Sequence, residues 1–217
     1  HPFGDSCVLV LDLNGQYVWF FEALRNFVRG DASLLYSFSR SLGGEFLGMY
    51  AYYLASPFSF IVALFPKKMI TEALLVIFLL KTGLCGLTFG TYLHKTRPRN
   101  PVAVVIFSTM YALCAYGVIQ AMNTMWIDAV MWLPLITLGI ESVIKYGKFK
   151  LFVVSFSIAL FSNFYIGYMC CIYVVIYFFY YYFACSPEER NPMGENRHFY
   201  KSLARIAIYS VITLLIC

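Results

Sequence analysis

The stretch "MITEALLVIFLLKTGLCGLTFGTYL", residues 69–93, runs for 25 residues with few charges. About 20 apolar residues rise far enough as a helix to cross the hydrocarbon of a bilayer. Three further runs have the same character, at residues 102–119, 126–144 and 151–185. The last is too long for one ordinary helix, and "SNFYIG", residues 162–167, interrupts it with Asn and Gly, so two helices are expected there. Ten-residue segments of alternating polarity are absent, which favours a helical bundle over a barrel. Composition agrees. The chain is 61% hydrophobic and 19% aromatic, and its 12% of charged residues falls well below the roughly 25% of a soluble domain. The fold class expected is all-α and polytopic.

Outward from these runs the chain divides in two. Residues 69–217 form a transmembrane bundle of about five spans plus the start of another, because "IAIYSVITLLIC", residues 206–217, stops before it could cross. Residues 1–68 are mixed in character. Within them "DLNGQYVWFFEALR", residues 12–25, opens an amphipathic pattern: Tyr17, Phe20, Phe21, Leu24, Phe27 and Val28 recur at helical spacing. Gln16, Arg25, Asn26 and Arg29 fall largely elsewhere, and Gly30 supplies a stop. Such a helix is too polar to span and suits a membrane surface. "GMYAYYLASPFSFIVALFP", residues 48–66, carries Pro57 and ends at Pro66, which leaves a short span or a re-entrant, interfacial element as alternatives. The missing initiator Met, with no signal-peptide pattern in residues 1–12, suggests an excerpt whose first membrane helix lies upstream.

The net charge of +5 does not call for nucleic acid, because the basic residues lie between apolar runs. "HKTRPRN" and "KYGKFK", residues 94–100 and 145–150, are strongly basic and mark the cytoplasmic side. "QAMNTMW" from Gln120, and everything before Met69, then lies outside. Lys67 and Lys68 run mildly against that rule. The seven cysteines (7, 85, 114, 170, 171, 185, 217) contain no C-x-x-C pair and read as small apolar packing residues. His1, His94 and His198 share no metal-ligand spacing.

Two acids stand out by position on the outer side. Asp12 opens the amphipathic helix, and Asp128 sits just inside a span in "NTMWIDAVMWLPL" beside Trp126. An ionisable group at that depth normally faces the protein interior or a wet cavity, so both could open onto one outer cavity. Each also has a plainer role as a helix cap. Glu45 reads as a solvated loop charge, Asn163 and Tyr165 as residues satisfying a helix break. Arg40 in "FSRSLGG" is a candidate phosphate binder beside the backbone N–H groups of Gly43 and Gly44. No Walker loop, G-x-S-x-G, H-E-x-x-H or strand-following G-x-G-x-x-G is present.

Three pieces together, "PFGDSCVLVLDLNGQYVWFF", "FSRSLGGEFLGMYAYYLASPFSFIVALFP" and "YALCAYGVIQAMNTMWIDAVMWLPLITLGIE", resemble the amino-terminal part of the YfhO family of bacterial multispanning membrane proteins. The likeness covers most of the first 141 residues; residues 145–217 share only a general membrane character. It implies a GT-C glycosyltransferase fold in the bacterial cell membrane. It also implies a polyprenyl-phosphate-linked sugar as donor and a cell-envelope polymer such as lipoteichoic acid as acceptor, with membrane lipids as further partners. The catalytic carboxylate expected in the first large external loop matches Asp12, with Asp5 of "PFGD" second, and Asp128 matches an acidic position of the second external loop. On that reading Gln16, Tyr17, Asn123 and Trp126 line the substrate site. Arg40 with Gly43 and Gly44, and after them Lys67 or Lys68, face the leaving phosphate, and the lipid tail lies near "YYLASPF". A divalent metal with Asp5, Asp12 and Asp128 is left open, since some GT-C enzymes work without one. A transporter or flippase without covalent chemistry is the main rival, and a scaffold the third reading.

Overall fold

Apolar runs this long bury their own backbone polar groups only as helices, and helices dominate the chain. The computed structural model describes residues 9–38, 42–96, 100–184 and 195–217. Among the described residues five helices are long and apolar enough to cross a membrane, so the protein is an all-α polytopic membrane protein.

The amino-terminal segment comes first. A π-helical turn, Leu13–Tyr17, leads into α1, Val18–Val28. Phe21 and Leu24 are its buried contacts, and Gly30, at φ +85°, ends it in the left-handed region. Arg25 departs from the expected polar face. It is buried because its Nε donates to the Phe65 carbonyl at 2.8 Å. A two-stranded antiparallel hairpin follows, β1 (Tyr36–Ser37) with β2 (Gly44–Glu45), pairing Tyr36 with Glu45 and Ser37 with Gly44. Next, α2 (Leu47–Met49) continues as a π-helical stretch, Tyr50–Leu54, and a 3-10 helix covers Pro57–Leu64.

Those two arms meet at 103°. Pro57 cannot continue the preceding arm, and Ser56 at the bend caps the second by accepting the Phe58 N–H. Arg25 of α1 and Arg29 just after it donate to the carbonyls of Phe65 and Ala63. The element therefore bends at Ser56, inside the bundle, and its second arm returns to α1, which gives it the shape of a re-entrant element. The hydrophobic cluster of Phe21, Leu24, Phe46, Leu54, Val62 and Ile77 seals it against α1 and the next helix.

The bundle comprises α3 (Ile70–Thr96), α4 (Pro101–Ala112) with its short continuation α5 (Ala115–Ile119), α6 (Thr124–Tyr146), α7 (Lys150–Ser162), α8 (Phe164–Ala184) and α9 (Glu195–Ile216). Helix α6 is the centre, with 15 of its 23 residues buried. Helices α3 and α8 run parallel to it, as the pairs Lys81 with Asp128 and Tyr92 with Glu141, and Tyr173 with Thr137 and Tyr177 with Glu141, show. Helices α4 and α7 run back. Pro134 lacks the N–H that would bond the Val130 carbonyl, and the Tyr111 hydroxyl of α4 donates to that carbonyl instead at 2.7 Å.

Small residues set the close approaches, as between helices in lipid generally. Gly90 faces Ser108 across α3 and α4, and Gly139 lets α7 press its backbone against α6. A Cβ on Gly139 would stand 2.6 Å from the Phe152 Cα. Gly139→Ala is therefore expected to destabilise by about 1–3 kcal/mol or more, because backbone and not a flexible side chain must move. A lowered midpoint in a thermal melt of the detergent-solubilised protein checks this; an unchanged midpoint refutes the contact.

Two expectations are corrected. Helix α7 has only 13 residues, about 20 Å of helix, so the pair at residues 151–185 is one short helix and one full span. Helix α9 begins at Glu195, well before the apolar run at residue 206, and is long and apolar enough to count as a span. The expected break falls at Asn163, in extended backbone. Its Oδ1 accepts the Ile166 N–H at 2.9 Å, and its Nδ2 donates to the Tyr52 carbonyl at 2.8 Å, tying the α7–α8 corner to the re-entrant element.

Candidate functional site

The face of the bundle that carries α1 collects most of the candidate residues. Asp12 is exposed and helical in its own backbone, and its side chain makes no capping hydrogen bond. Asp12 thus stands at the N-cap position of the Leu13–Tyr17 turn without acting as a cap: its own backbone is helical and its carboxylate takes none of the first-turn N–H groups. Its carboxylate stands beside Tyr17. Burial first, and then the Asp12 negative charge, raise the Tyr17 phenol from its ordinary value to about 12. Tyr17 therefore remains a hydroxyl donor at any physiological pH. It donates to Asn123 Oδ1 at 3.0 Å, and Asn123 Nδ2 donates to Gln120 Oε1 at 2.7 Å. This chain of bonds joins the turn bearing Asp12 to the start of α6.

A line of rings continues from Tyr17. Tyr53 lies 5.2 Å away, Tyr52 4.6 Å beyond it, and Phe164 5.4 Å beyond that, centroid to centroid. Phe164 is part of the wall of a cavity of about 850 Å³, with Tyr50, Ala51, Ala55, Tyr165 and Leu214 among the others. The lining is almost wholly apolar. One wall is the re-entrant element and the others are the ends of α7, α8 and α9.

Asp128 is not on that surface. It is 1% exposed, with Oδ2 2.6 Å from Lys81 Nζ and Oδ1 accepting the Ser56 hydroxyl at 2.8 Å. Lys81, also 1% exposed, donates in addition to the Thr124 carbonyl at 2.9 Å. Among the described residues Asp12 and Asp128 do not open onto the expected shared cavity: one carboxylate is exposed, the other is enclosed. Burial of two charges is tolerated only when each finds its partner and its hydrogen bonds, which this triad supplies. Neither does Asp128 cap α6, since it lies a full turn inside the helix and bonds to neighbouring elements.

The remaining candidates are scattered. Gln16 is exposed near Asp12, and Trp126 lies 6.3 Å from Tyr165 with a buried Nε1 that meets no acceptor among the described residues. Gly44 belongs to β2, and Gly43, at φ +97°, packs on the Tyr36 phenol so closely that a Cβ would collide with it. Arg40 and Asp5 lie outside the described residues. Lys67 pairs with Glu22 at 2.7 Å while remaining exposed, and Lys68 is exposed and pairs with no described residue. Glu45, expected as a solvated charge, accepts the Gly48 N–H at 2.6 Å. Among the described residues, no three His, Cys, Asp or Glu side chains converge as a metal site.

Sequence reasoning missed Lys81, Ser56 and a second buried acid. Glu141 is 6% exposed and accepts hydroxyl protons from Tyr177 at 2.7 Å and Tyr92 at 3.0 Å. The signal for Lys81 was available, because a lysine in the middle of an apolar run must find an acid. Nothing in the sequence pairs Ser56 with Asp128, 72 residues apart.

Comparison with known proteins places this architecture. The pattern of the family described as "Bacterial membrane protein YfhO" matches residues 1–217, so the likeness extends past residue 141 to the end of the sequence. A curated relative of Bacillus subtilis (strain 168), described as "Uncharacterized protein YfhO", is 26% identical over 158 residues, covering 65% of this chain. The aligned part is 18% of that relative's length. No solved structure matches the chain. With the family pattern matched from end to end and the multispanning helical fold to go with it, the chain belongs to the YfhO family of bacterial membrane proteins.

Proposed function

We propose that this chain carries the donor-side part of a GT-C-type glycosyltransferase that moves a sugar from a polyprenyl phosphate to a cell-envelope acceptor such as lipoteichoic acid. The observation that carries the reading is the exposed, uncapped Asp12 carboxylate linked by the Tyr17, Tyr53, Tyr52 and Phe164 rings to an apolar cavity of about 850 Å³. The cavity suits an isoprenoid chain in chemistry and size, and lies on the "YYLASPF" element named from the sequence.

In the proposed reaction the acceptor hydroxyl oxygen attacks the anomeric carbon from the side opposite the phosphate. Asp12 takes the hydroxyl proton, the bond between anomeric carbon and phosphate oxygen breaks, and configuration inverts. Charge developing on the departing phosphate needs a cation. Lys68 is the exposed, unpaired cation of the described face, with Lys67 beside it and Arg40 as the sequence candidate. Asp128 is enclosed, so its part is positioning: with Lys81 it holds Ser56 and thereby the re-entrant wall of the cavity. The basic loops at the opposite face support an outer location for this face under the positive-inside rule.

A panel of polyprenyl-phosphate sugars offered to the full-length protein in membranes, with transfer to an envelope acceptor read as product, tests the reading. Transfer of one of them supports it; none transferred, with the protein folded, refutes it. The buried Lys81–Asp128 pair and Glu141 favour a second reading, a transport path for an envelope precursor. Movement of an intact lipid-linked sugar across proteoliposomes without any product would select it.

A further inference from the structure

Among the described residues, the opposite end of the bundle gathers positive charge at one corner. Helix α6 ends at Gly147, whose φ of +68° is the left-handed conformation that stops a helix. The corner also needs glycine for space, since the Arg205 guanidinium of α9 lies against it, with Nη1 2.6 Å from where a Cβ would be. Arg205 is half-buried, yet among the described residues it has no carboxylate or carbonyl partner. A guanidinium withdrawn from water and left without an acceptor is costly.

Three more features converge on the same corner. Lys148 and Lys150 are exposed on either side of Phe149, and Lys148 reaches over the Tyr146 ring at 5.7 Å. Helix α7 starts here, and Phe149 offers no side chain to the N–H groups of its first turn. Tyr146 is 70% exposed, and Phe149 stacks on Tyr209 at 4.8 Å. Aromatic rings at the end of a span mark the level of lipid head groups. Among side chains described on this face the acid nearest in sequence is Glu141, which is buried and already bonded to Tyr92 and Tyr177.

We infer that the α6–α7 corner, with Arg205 of α9, binds the phosphate head group of an anionic membrane lipid. Arg205 and the two lysines supply charge, the free N–H groups of α7 supply donors, and the aromatic rings set the depth. A head group fits better than free phosphate because the rings and the apolar flanks of α7 and α9 lie alongside for the acyl chains. The site is at the far end of the bundle from Asp12 and independent of any transfer reaction.

The test is retention of phosphatidylglycerol by the purified full-length protein in nanodiscs of phosphatidylglycerol and phosphatidylcholine, read by native mass spectrometry. Preferential retention of phosphatidylglycerol is expected, reduced about fivefold in Arg205→Gln and again in Lys148→Gln/Lys150→Gln, with Arg205→Lys retaining most of it. The exposed lysine variant does not touch the packing, so it carries the test should Arg205→Gln misfold. Equal retention of the two lipids, retention unchanged in the lysine variant, or displacement by millimolar inorganic phosphate alone would each overturn the inference.

Discussion

Asp12→Asn is expected to lower sugar transfer by about 10²–10⁴-fold, the range supplied by a positioned general base, while the melting temperature stays where it was. The second half of that expectation comes from the structure. A capping aspartate would contribute about 1 kcal/mol to its helix, and a loss of stability would then be confused with a loss of chemistry. Asp12 caps nothing, and its side chain is exposed. Asparagine has the same shape and keeps a polar neighbour for Tyr17, but cannot accept the proton. Transfer rates and melts on the same preparations decide the matter. Full activity in the variant removes Asp12 from the base role and returns attention to Asp5.

The largest effect on stability is expected from Lys81→Met, which leaves Asp128 buried and uncompensated at 1% exposure. Breaking such a pair on one side costs about 3–5 kcal/mol, enough to unfold a protein of ordinary stability. Asp128→Leu should be comparably damaging, since it strands the Lys81 ammonium with only the Thr124 carbonyl. The double variant Lys81→Met/Asp128→Leu should recover much of the loss, because two apolar side chains replace two charges that no longer need solvation. Denaturation of the three variants in one detergent gives the coupling energy directly. If the double variant is as unstable as the sum of the singles, the pair is not what holds α3, α6 and the re-entrant bend together. A double variant that folds but transfers no sugar would mean that the Ser56–Asp128 bond sets the cavity wall for function as well as for stability.

The spans were legible for a simple reason. A bilayer imposes length and apolarity on each crossing segment separately, so residues 69–93 and 126–144 could be assigned without knowing their neighbours. Boundaries moved where composition and conformation part company. Helix α9 extends into "ENRHFYKSLAR", because a helix may continue through polar residues outside the apolar core, and α7 stops early because Asn163 caps the next helix in place of continuing its own. The re-entrant element could not be decided from residues 48–66 alone. Pro57 announces a bend in either case, and only the hold of Arg25 and Arg29 on the Phe65 and Ala63 carbonyls shows that the chain returns to the same face.

Among the site residues, the sequence by itself determined that acids lay at helix ends in an apolar chain, that the protein was helical and multispanning, and that it resembled the YfhO family. All of these follow from local composition, spacing or direct comparison of residues. Only the tertiary structure decided that Asp12 is exposed while Asp128 is closed off. The difference between them is pairing across helices: Lys81 lies 47 residues before Asp128 and Ser56 lies 72 before it. Position along a helix tells where a charge lies, whereas its availability depends on which neighbouring helix brings the opposite charge or the hydrogen-bond donor to meet it.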